Sequence, residues 1–254
     1  MKPLVHILIL SLSSLIQAQT IQVAVDDFPP YSQINQDGTI TGLNVDVVNS
    51  VSKRMGLEVN YIPCPWVRCL KLLEKGDVDL MSGVLLTPER AENYQFVYPP
   101  YESVMSNSVY FYQLTSKPLI KAEADLYNKI VAVQRGVVYT PEFDNNEDIV
   151  KVEINDHSSI IKMLLKGNID AFIYAGVAAE ALIEKHDLNN EIIRSPLSYK
   201  SVRNTHLVLS KNSPFVSKAD RFGEELAHLL EDNTIKQIFQ KYGIEHSMTT
   251  PESD

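Results

Sequence analysis

The chain has 254 residues, 44% hydrophobic and 22% charged, the proportions of a globular protein of one or two domains rather than a disordered or fibrous chain. A formal charge of −9 argues against a nucleic-acid partner or an anionic membrane surface, both of which demand clustered cations. Two cysteines are too few for a disulfide scaffold or a four-cysteine zinc site.

Residues 1–18 combine an early cation (Lys2), a mostly apolar run from Leu4 to Ile16 and a small residue at Ala18. That is the pattern of a secretory signal cleaved near Ala18, and the apolar run is too short to cross ~30 Å of hydrocarbon as a helix. No cysteine follows the cut, so the expectation is an exported, periplasmic protein that is not a lipoprotein. Export permits a disulfide between Cys64 and Cys69. Within one helix their Cα atoms would stand roughly 8–9 Å apart, beyond the bridging limit of about 7 Å. The bond therefore requires Cys64 to precede the helix, with Pro65 at its first position. Two buried thiols are the other outcome.

From Gln22 onward strand-like and helix-like segments alternate. Ile21–Val25 reads as a strand; Leu43, Val47, Val51 and Met55 recur as one face of a helix stopped by Gly56. Leu57–Pro63 reads as a strand, Pro65–Glu74 as a helix stopped by Gly76, and Asp79–Leu86 as a buried strand leading into a short helix from Thr87. The later half echoes this plan. Leu72-Leu73-Glu74-Lys75-Gly76-Asp77-Val78-Asp79 resembles Leu164-Leu165-Lys166-Gly167-Asn168-Ile169-Asp170, and Gln22–Val25 resembles Ile130–Val133. The expectation is two α/β lobes, each a mainly parallel sheet covered by helices. Ser106–Leu114 and Asn204–Leu209 are the long strand-like runs at which the chain would cross between lobes. Lobe 1 is then 20–108 plus 208–246, lobe 2 is 109–207, and 247–254 is a polar tail. Helices opened by Ser213-Pro214 and Asn233-Thr234 complete lobe 1, the last ending at Gly243. Two crossings form a hinge and leave a cleft.

No G-x-S-x-G, G-x-x-x-x-G-K-[ST], G-x-G-x-x-G or H-E-x-x-H motif is present, and the six histidines have no metal-ligand spacing. No catalytic residue, cofactor or metal is expected. The most informative segment is Ser82–Arg90 (SGVLLTPER), where Thr87 suits an N-cap, Pro88 the first helical position and Glu89 the positive dipole end. Arg90 beside that helix start either grips an anion, with a carboxylate as the obvious guest, or pairs with a neighbouring acid. Phe28, Tyr31, Trp66 and Tyr174 fall where strands would end at the cleft, the place ligands occupy in open parallel sheets.

The segments VAVDDFPPY, DGTITGLNVDVVNSVSKRMG, GDVDLMSGVLLTPER, YPPY and NTIKQIFQKYG, in that order over about residues 20–245, resemble the family 3 bacterial extracellular solute-binding proteins of the polar-amino-acid type. The resemblance implies a two-lobe periplasmic-binding-protein fold that closes on a small solute and hands it to an ABC permease in the inner membrane, acting as a monomer. It also implies that Phe28 and Trp66 flank the ligand, that Ser82 and the adjoining Gly83 contact it, and that Arg90 grips its carboxylate. Tyr174 and Val138 would line the second lobe's side. Three positions depart: Leu85 and Val138 stand where hydroxyl residues are usual, and Ala175 where an aspartate holds an ammonium. Asp26 or Asp27 is the candidate substitute, unless the ligand lacks an ammonium; Arg68 and Arg135 are expected on the solvated surface, with an added anion contact as the other outcome. Alternative readings are an enzyme like the related cyclohexadienyl dehydratases, or a sensor that docks to a membrane receptor.

Overall fold

The computed structural model describes residues 19–104, 109–155, 157–199, 203–246 and 248. The expected leader lies outside the described residues, as does the expected tail except for Met248, which bridges to Ser103. The first lobe contains β1 (Gln19–Val25), β2 (Gln33–Ile34), β3 (Ile40–Thr41), α1 (Leu43–Arg54), β4 (Leu57–Pro63), α2 (Trp66–Lys75), β5 (Leu80–Leu85), α3 (Pro88–Asn93), β6 (Tyr94–Phe96) and β7 (Glu102–Val104). The second contains β8 (Val109–Leu114), β9 (Ile130–Gln134), α4 (Pro141–Asp144), β10 (Val150–Ile154), α5 (His157–Leu165), β11 (Ala171–Ala175), α6 (Gly176–Lys185) and β12 (Ile192–Tyr199). The chain then returns through β13 (Arg203–Ser210) to α7 (Ala219–Glu231) and α8 (Thr234–Lys241) of the first lobe.

Strand order is β4-β1-β5-β13-β6 in the first sheet, with β7 also on β13, and β10-β9-β11-β8-β12 in the second. Successive strand residues point to opposite faces, and both faces are apolar here. Val23, Leu80 and Leu209 pack with Leu43 and Val47 of α1, Phe222 of α7 and Phe239 of α8. Their neighbours Ala24, Met81 and Val208 pack with Cys69 and Leu73 of α2. In the second sheet Ala132 and Phe172 pack with Ile160 and Leu164 of α5 and Ala179 of α6, while Val131 and Ala171 meet Leu126 and Phe143.

The internal echo in the sequence becomes a repeated clasp. Gly76 and Asp77 donate to Leu73 and Leu72 carbonyls at 3.2 and 3.0 Å, and Gly167 and Asn168 donate to Leu164 and Met163 at 3.0 and 2.9 Å. Three residues past each glycine, an aspartate ties its strand to the parallel neighbour: Asp79 Oδ2 accepts from Gln22 N, and Asp170 Oδ2 from Ile130 N, both at 2.8 Å. Both aspartate N–H groups return the bond to the same residues' carbonyls at 2.8 Å. Accordingly β1 lies parallel between β4 and β5, and β9 parallel between β10 and β11.

Four expectations change. The sheets are mixed rather than mainly parallel: β13 runs antiparallel to β5, β6 and β7, and β8 runs antiparallel to β11 and β12. The runs that carry the chain between lobes form these strands, entering each sheet from the opposite end. The return to the first sheet starts at Arg203, so residues 203–207 belong with lobe 1 and not with lobe 2. Pro65 is the N-cap of α2, with ψ 145°, and Trp66 is its first residue. The last helix ends at Lys241, two residues before Gly243.

Candidate functional site

A cavity of about 130 Å³ lies between the lobes, at the ends of strands from both sheets. From the first lobe come Asp26 just past β1, Ser82, Gly83 and Leu85 of β5, and Trp66 and Arg90 in the first turns of α2 and α3. From the second come Gln134 at the end of β9, Val137, Val138 and Tyr139 after it, and Tyr174 and Ala175 at the end of β11. All eight residues expected from the sequence at the cleft (Asp26, Phe28, Trp66, Ser82, Gly83, Arg90, Val138 and Tyr174) line it.

Arg90 is placed by local sequence rules. Thr87 Oγ1 accepts from Arg90 N at 3.2 Å as an N-cap, and Pro88 starts the helix. Arg90 is 8% exposed, and its Nη1 donates to Leu85 O at 3.0 Å. Its Nη2 reaches across to Gly136 O at 3.0 Å, and its Cζ stands 5.6 Å from the Trp66 ring centroid. Trp66 Nε1 donates to the same Gly136 carbonyl at 3.1 Å. One carbonyl of the second lobe thus receives both side chains of the first.

Gly136 has φ 74°, and a Cβ there would stand 2.9 Å from Val67 Cγ2 and 3.5 Å from Trp66 Cδ1. Gly136→Ala therefore combines backbone strain of about 1 kcal/mol with a clash at the lobe contact. The expected result is a more open ligand-free protein, seen as a larger radius of gyration in X-ray scattering and a red-shifted emission of Trp66, the only tryptophan. Wild-type values for both would show that Gly136 does not hold the lobes together.

A cluster of aromatic rings spans both lobes. Phe28 stacks on Tyr31 at 5.3 Å and meets Tyr174 at 5.5 Å and His157 at 5.4 Å. The Tyr174 hydroxyl and His157 Nδ1 are hydrogen-bonded. Gly83 has φ 78°, and a Cβ there would meet Asn44 Nδ2 at 2.8 Å, so only glycine lets β5 lie this close to α1. Asn44 is fixed from behind by the Tyr101 hydroxyl, which donates to its Oδ1 at 2.7 Å.

The cavity holds acids as well as a cation. Burial pushes the Asp26 carboxyl up to about 7, with neighbouring Asp27 adding to the shift. Asp27, the other candidate substitute, is exposed, accepts from Ile34 N at 3.0 Å and does not line the cavity. Arg68 is exposed and Arg135 pairs with Glu153 at 2.8 Å; neither reaches the cavity. Sequence reasoning passed over Glu102, Thr205 and His157. The first two meet only through the β7–β13 register, and His157 only through tertiary packing, so no local signal marked them.

Cys64 and Cys69 are disulfide-bonded with Cα atoms 5.4 Å apart. The bond pins the start of α2, and hence Trp66, to the end of β4. Among the described residues no cluster of potential ligands for a metal ion occurs, and no helix is long and apolar enough to cross a membrane.

Comparison with known proteins gives a consistent answer. The profile of the bacterial extracellular solute-binding proteins, family 3, matches residues 21–245. The L-cystine-binding protein TcyJ of Escherichia coli K12 is 25% identical over 217 residues, covering 85% of this chain and 79% of that protein. The probable amino-acid-binding protein YxeM of Bacillus subtilis is 24% identical over 211 residues, covering 82% and 77%. Among solved structures, a histidine kinase sensor domain similar to periplasmic binding proteins superposes with a TM-score of 0.77 at 23% identity, covering 91% of this chain and 99% of that one. The arginine-specific periplasmic binding protein STM4351 of Salmonella typhimurium superposes at 0.76 with 17% identity, covering 88% and 99%. With two mixed α/β lobes about one cleft and a family match running almost end to end, the chain belongs to family 3 of the bacterial extracellular solute-binding proteins and has the periplasmic-binding-protein fold.

Proposed function

We propose that this protein captures a small carboxylate-bearing solute, an amino acid or a close relative of one, in the periplasm and delivers it to an ABC permease by closing its two lobes. The observation that carries this reading is the buried Arg90 guanidinium, set at the cavity wall between Trp66 and the carbonyls of Leu85 and Gly136. A planar fork of N–H donors in a water-poor cleft matches a carboxylate better than any other common small anion except phosphate. Phe28 and Trp66 present apolar faces to the carbon skeleton, and Asp26 offers a carboxylate to a donor or cationic group on the ligand. Curated relatives that match most of the chain are named for amino acids, which supports the same class. The leader expected from the sequence and the Cys64–Cys69 bond both agree with an oxidising, extracytoplasmic site of action.

The test is a thermal-shift screen of the mature protein against the standard L-amino acids, L-cystine and simple carboxylates. A ligand that binds only the folded state raises the melting temperature, by an amount equivalent to about 2.7 kcal/mol at a hundredfold excess over Kd. No shift with any carboxylate would remove the proposal.

One observation favours a second reading. An acid that titrates near neutrality in an enclosed cleft is also what a dehydratase needs as its general acid or base. Incubation with prephenate or arogenate, followed by product absorbance, separates the two; turnover would replace binding as the function.

A further inference from the structure

Asn44, the second residue of α1, lines the cavity although it is only 9% exposed. Its backbone N–H donates to Tyr31 O at 2.8 Å, so the turn that enters the helix sets its place. The side-chain Oδ1 is taken by the Tyr101 hydroxyl at 2.7 Å. The amide Nδ2 lies against Gly83, the cavity residue of β5 where a Cβ would come within 2.8 Å of it. Among the described residues Nδ2 makes no hydrogen bond. Yet it is not sealed off like Ser52 Oγ of the same helix: its exposure opens to the cavity that the residue lines.

The orientation of this amide follows from its partners, since an amide oxygen only accepts and an amide nitrogen only donates. Tyr101 is fully buried, and burial pushes its hydroxyl well above the usual phenol range, so it keeps its proton at physiological pH. The backbone N–H of Gly83 hydrogen-bonds the same hydroxyl and can only donate to it, so the phenol's own proton goes to Asn44. The relay from Gly83 N–H through Tyr101 O–H to Asn44 Oδ1 leaves the N–H bonds of Nδ2 as the end that faces the ligand space. A donor there that meets no acceptor when the cavity fills costs about 1–3 kcal/mol.

We propose that Asn44 is a specificity-determining residue of the cleft, whose Nδ2 donates to a neutral oxygen acceptor at the far end of the bound solute, as in a side-chain carboxamide. This rests on the reading of the cleft as a site for a carboxylate at Arg90. Strand β5 carries both anchors: Arg90 binds Leu85 O, and Asn44 touches Gly83 two residues earlier. A carboxylate at one and an acceptor at the other stand on the order of 6–7 Å apart, about the span between the two ends of an extended glutamine. A second carboxylate fits less well, because the acids Asp26 and Glu102 line the same cavity. Arg90 and Asn44 both belong to the first lobe, so the open protein already reads both ends of the solute.

The experiment uses isothermal titration calorimetry at pH 8 on the mature wild-type protein, Asn44→Ala and Asn44→Asp. The probes are L-glutamine, L-glutamate and L-norleucine, the last with hydrocarbon in place of the amide. Wild type is expected to prefer L-glutamine to L-norleucine by at least about tenfold, because the hydrocarbon leaves Nδ2 unmet, and to prefer it to L-glutamate as well. Asn44→Ala should bring the first preference to within about threefold while leaving the affinity for L-norleucine nearly unchanged, which also shows that the variant is folded. An undiminished preference in Asn44→Ala overturns the assignment. Should that variant bind no probe, Asn44→Asp decides, since it keeps an acceptor for Tyr101 but has no donor: a reduced preference supports the assignment and a wild-type preference overturns it. Wild type that binds L-norleucine or L-glutamate as tightly as L-glutamine overturns the proposal without any variant. If wild type binds none of the three while another carboxylate raises the melting temperature in the screen above, the proposal falls and the carboxylate reading stands. If nothing shifts in that screen, both fall.

Discussion

Arg90→Ala is expected to weaken solute binding by at least about 30-fold, because truncating one partner of a buried charge pair costs about 2–5 kcal/mol. Two effects add. The ligand carboxylate loses its fork of donors, and the carbonyls of Leu85 and Gly136 each lose a donor at 3.0 Å. The second effect also lowers the stability of the ligand-free protein, by about 1–2 kcal/mol. Arg90→Lys distinguishes charge from geometry. It keeps the cation but cannot reach both carbonyls and a carboxylate with one ammonium, so most of the affinity should still be lost. Calorimetric titration of both variants provides the measurement, and wild-type affinity in Arg90→Ala would show that the cation at the cavity wall serves only to join the lobes.

Asp26→Asn is expected to stabilise the ligand-free protein while impairing its function. The carboxyl takes up its proton near 7 in the folded protein against 3.8 in an unperturbed chain. Between those values the folded state holds more protons than the unfolded one, so stability falls as pH rises from about 4 to 7 and stays low above. Removing the carboxyl should therefore raise unfolding free energy by roughly 2 kcal/mol at pH 8 and by almost nothing at pH 4, allowing for the water that reaches the cleft. Urea denaturation at the two pH values measures this. Binding should show the opposite trend. A ligand whose donor or cation meets ionised Asp26 binds about tenfold more weakly to the wild type at pH 6 than at pH 8, and this pH dependence should vanish in Asp26→Asn. Equal stability of the two proteins at pH 8 would place Asp26 in ordinary solvent.

Such an acid illustrates how binding sites are built. The core of each lobe follows local rules of burial, but the cavity is lined by Asp26, Arg90 and Glu102, of which the last two are buried.

Much of the molecule was legible before any coordinates. Alternation of strand and helix follows from apolar periodicity. The glycine stops at Gly76 and Gly167 and the Thr87-Pro88 helix start follow from backbone chemistry that operates within a few residues. Part of the cleft is legible in the same way: Phe28, Trp66, Arg90 and Tyr174 follow a strand, end one or stand in the first turn of a helix, whereas Ser82 and Val138 are expected there only through the family resemblance. The direction in which β8 and β13 join their sheets was not visible, because strand order and orientation arise from pairings between segments far apart in the chain. For the same reason Glu102 meets Thr205 only through strand register, and Arg90 and Trp66 share the carbonyl of Gly136 only when the lobes meet. Local segments dictate what each element is; which charges face one another across the cleft depends on how those elements pack, and that is an energy summed over the whole chain.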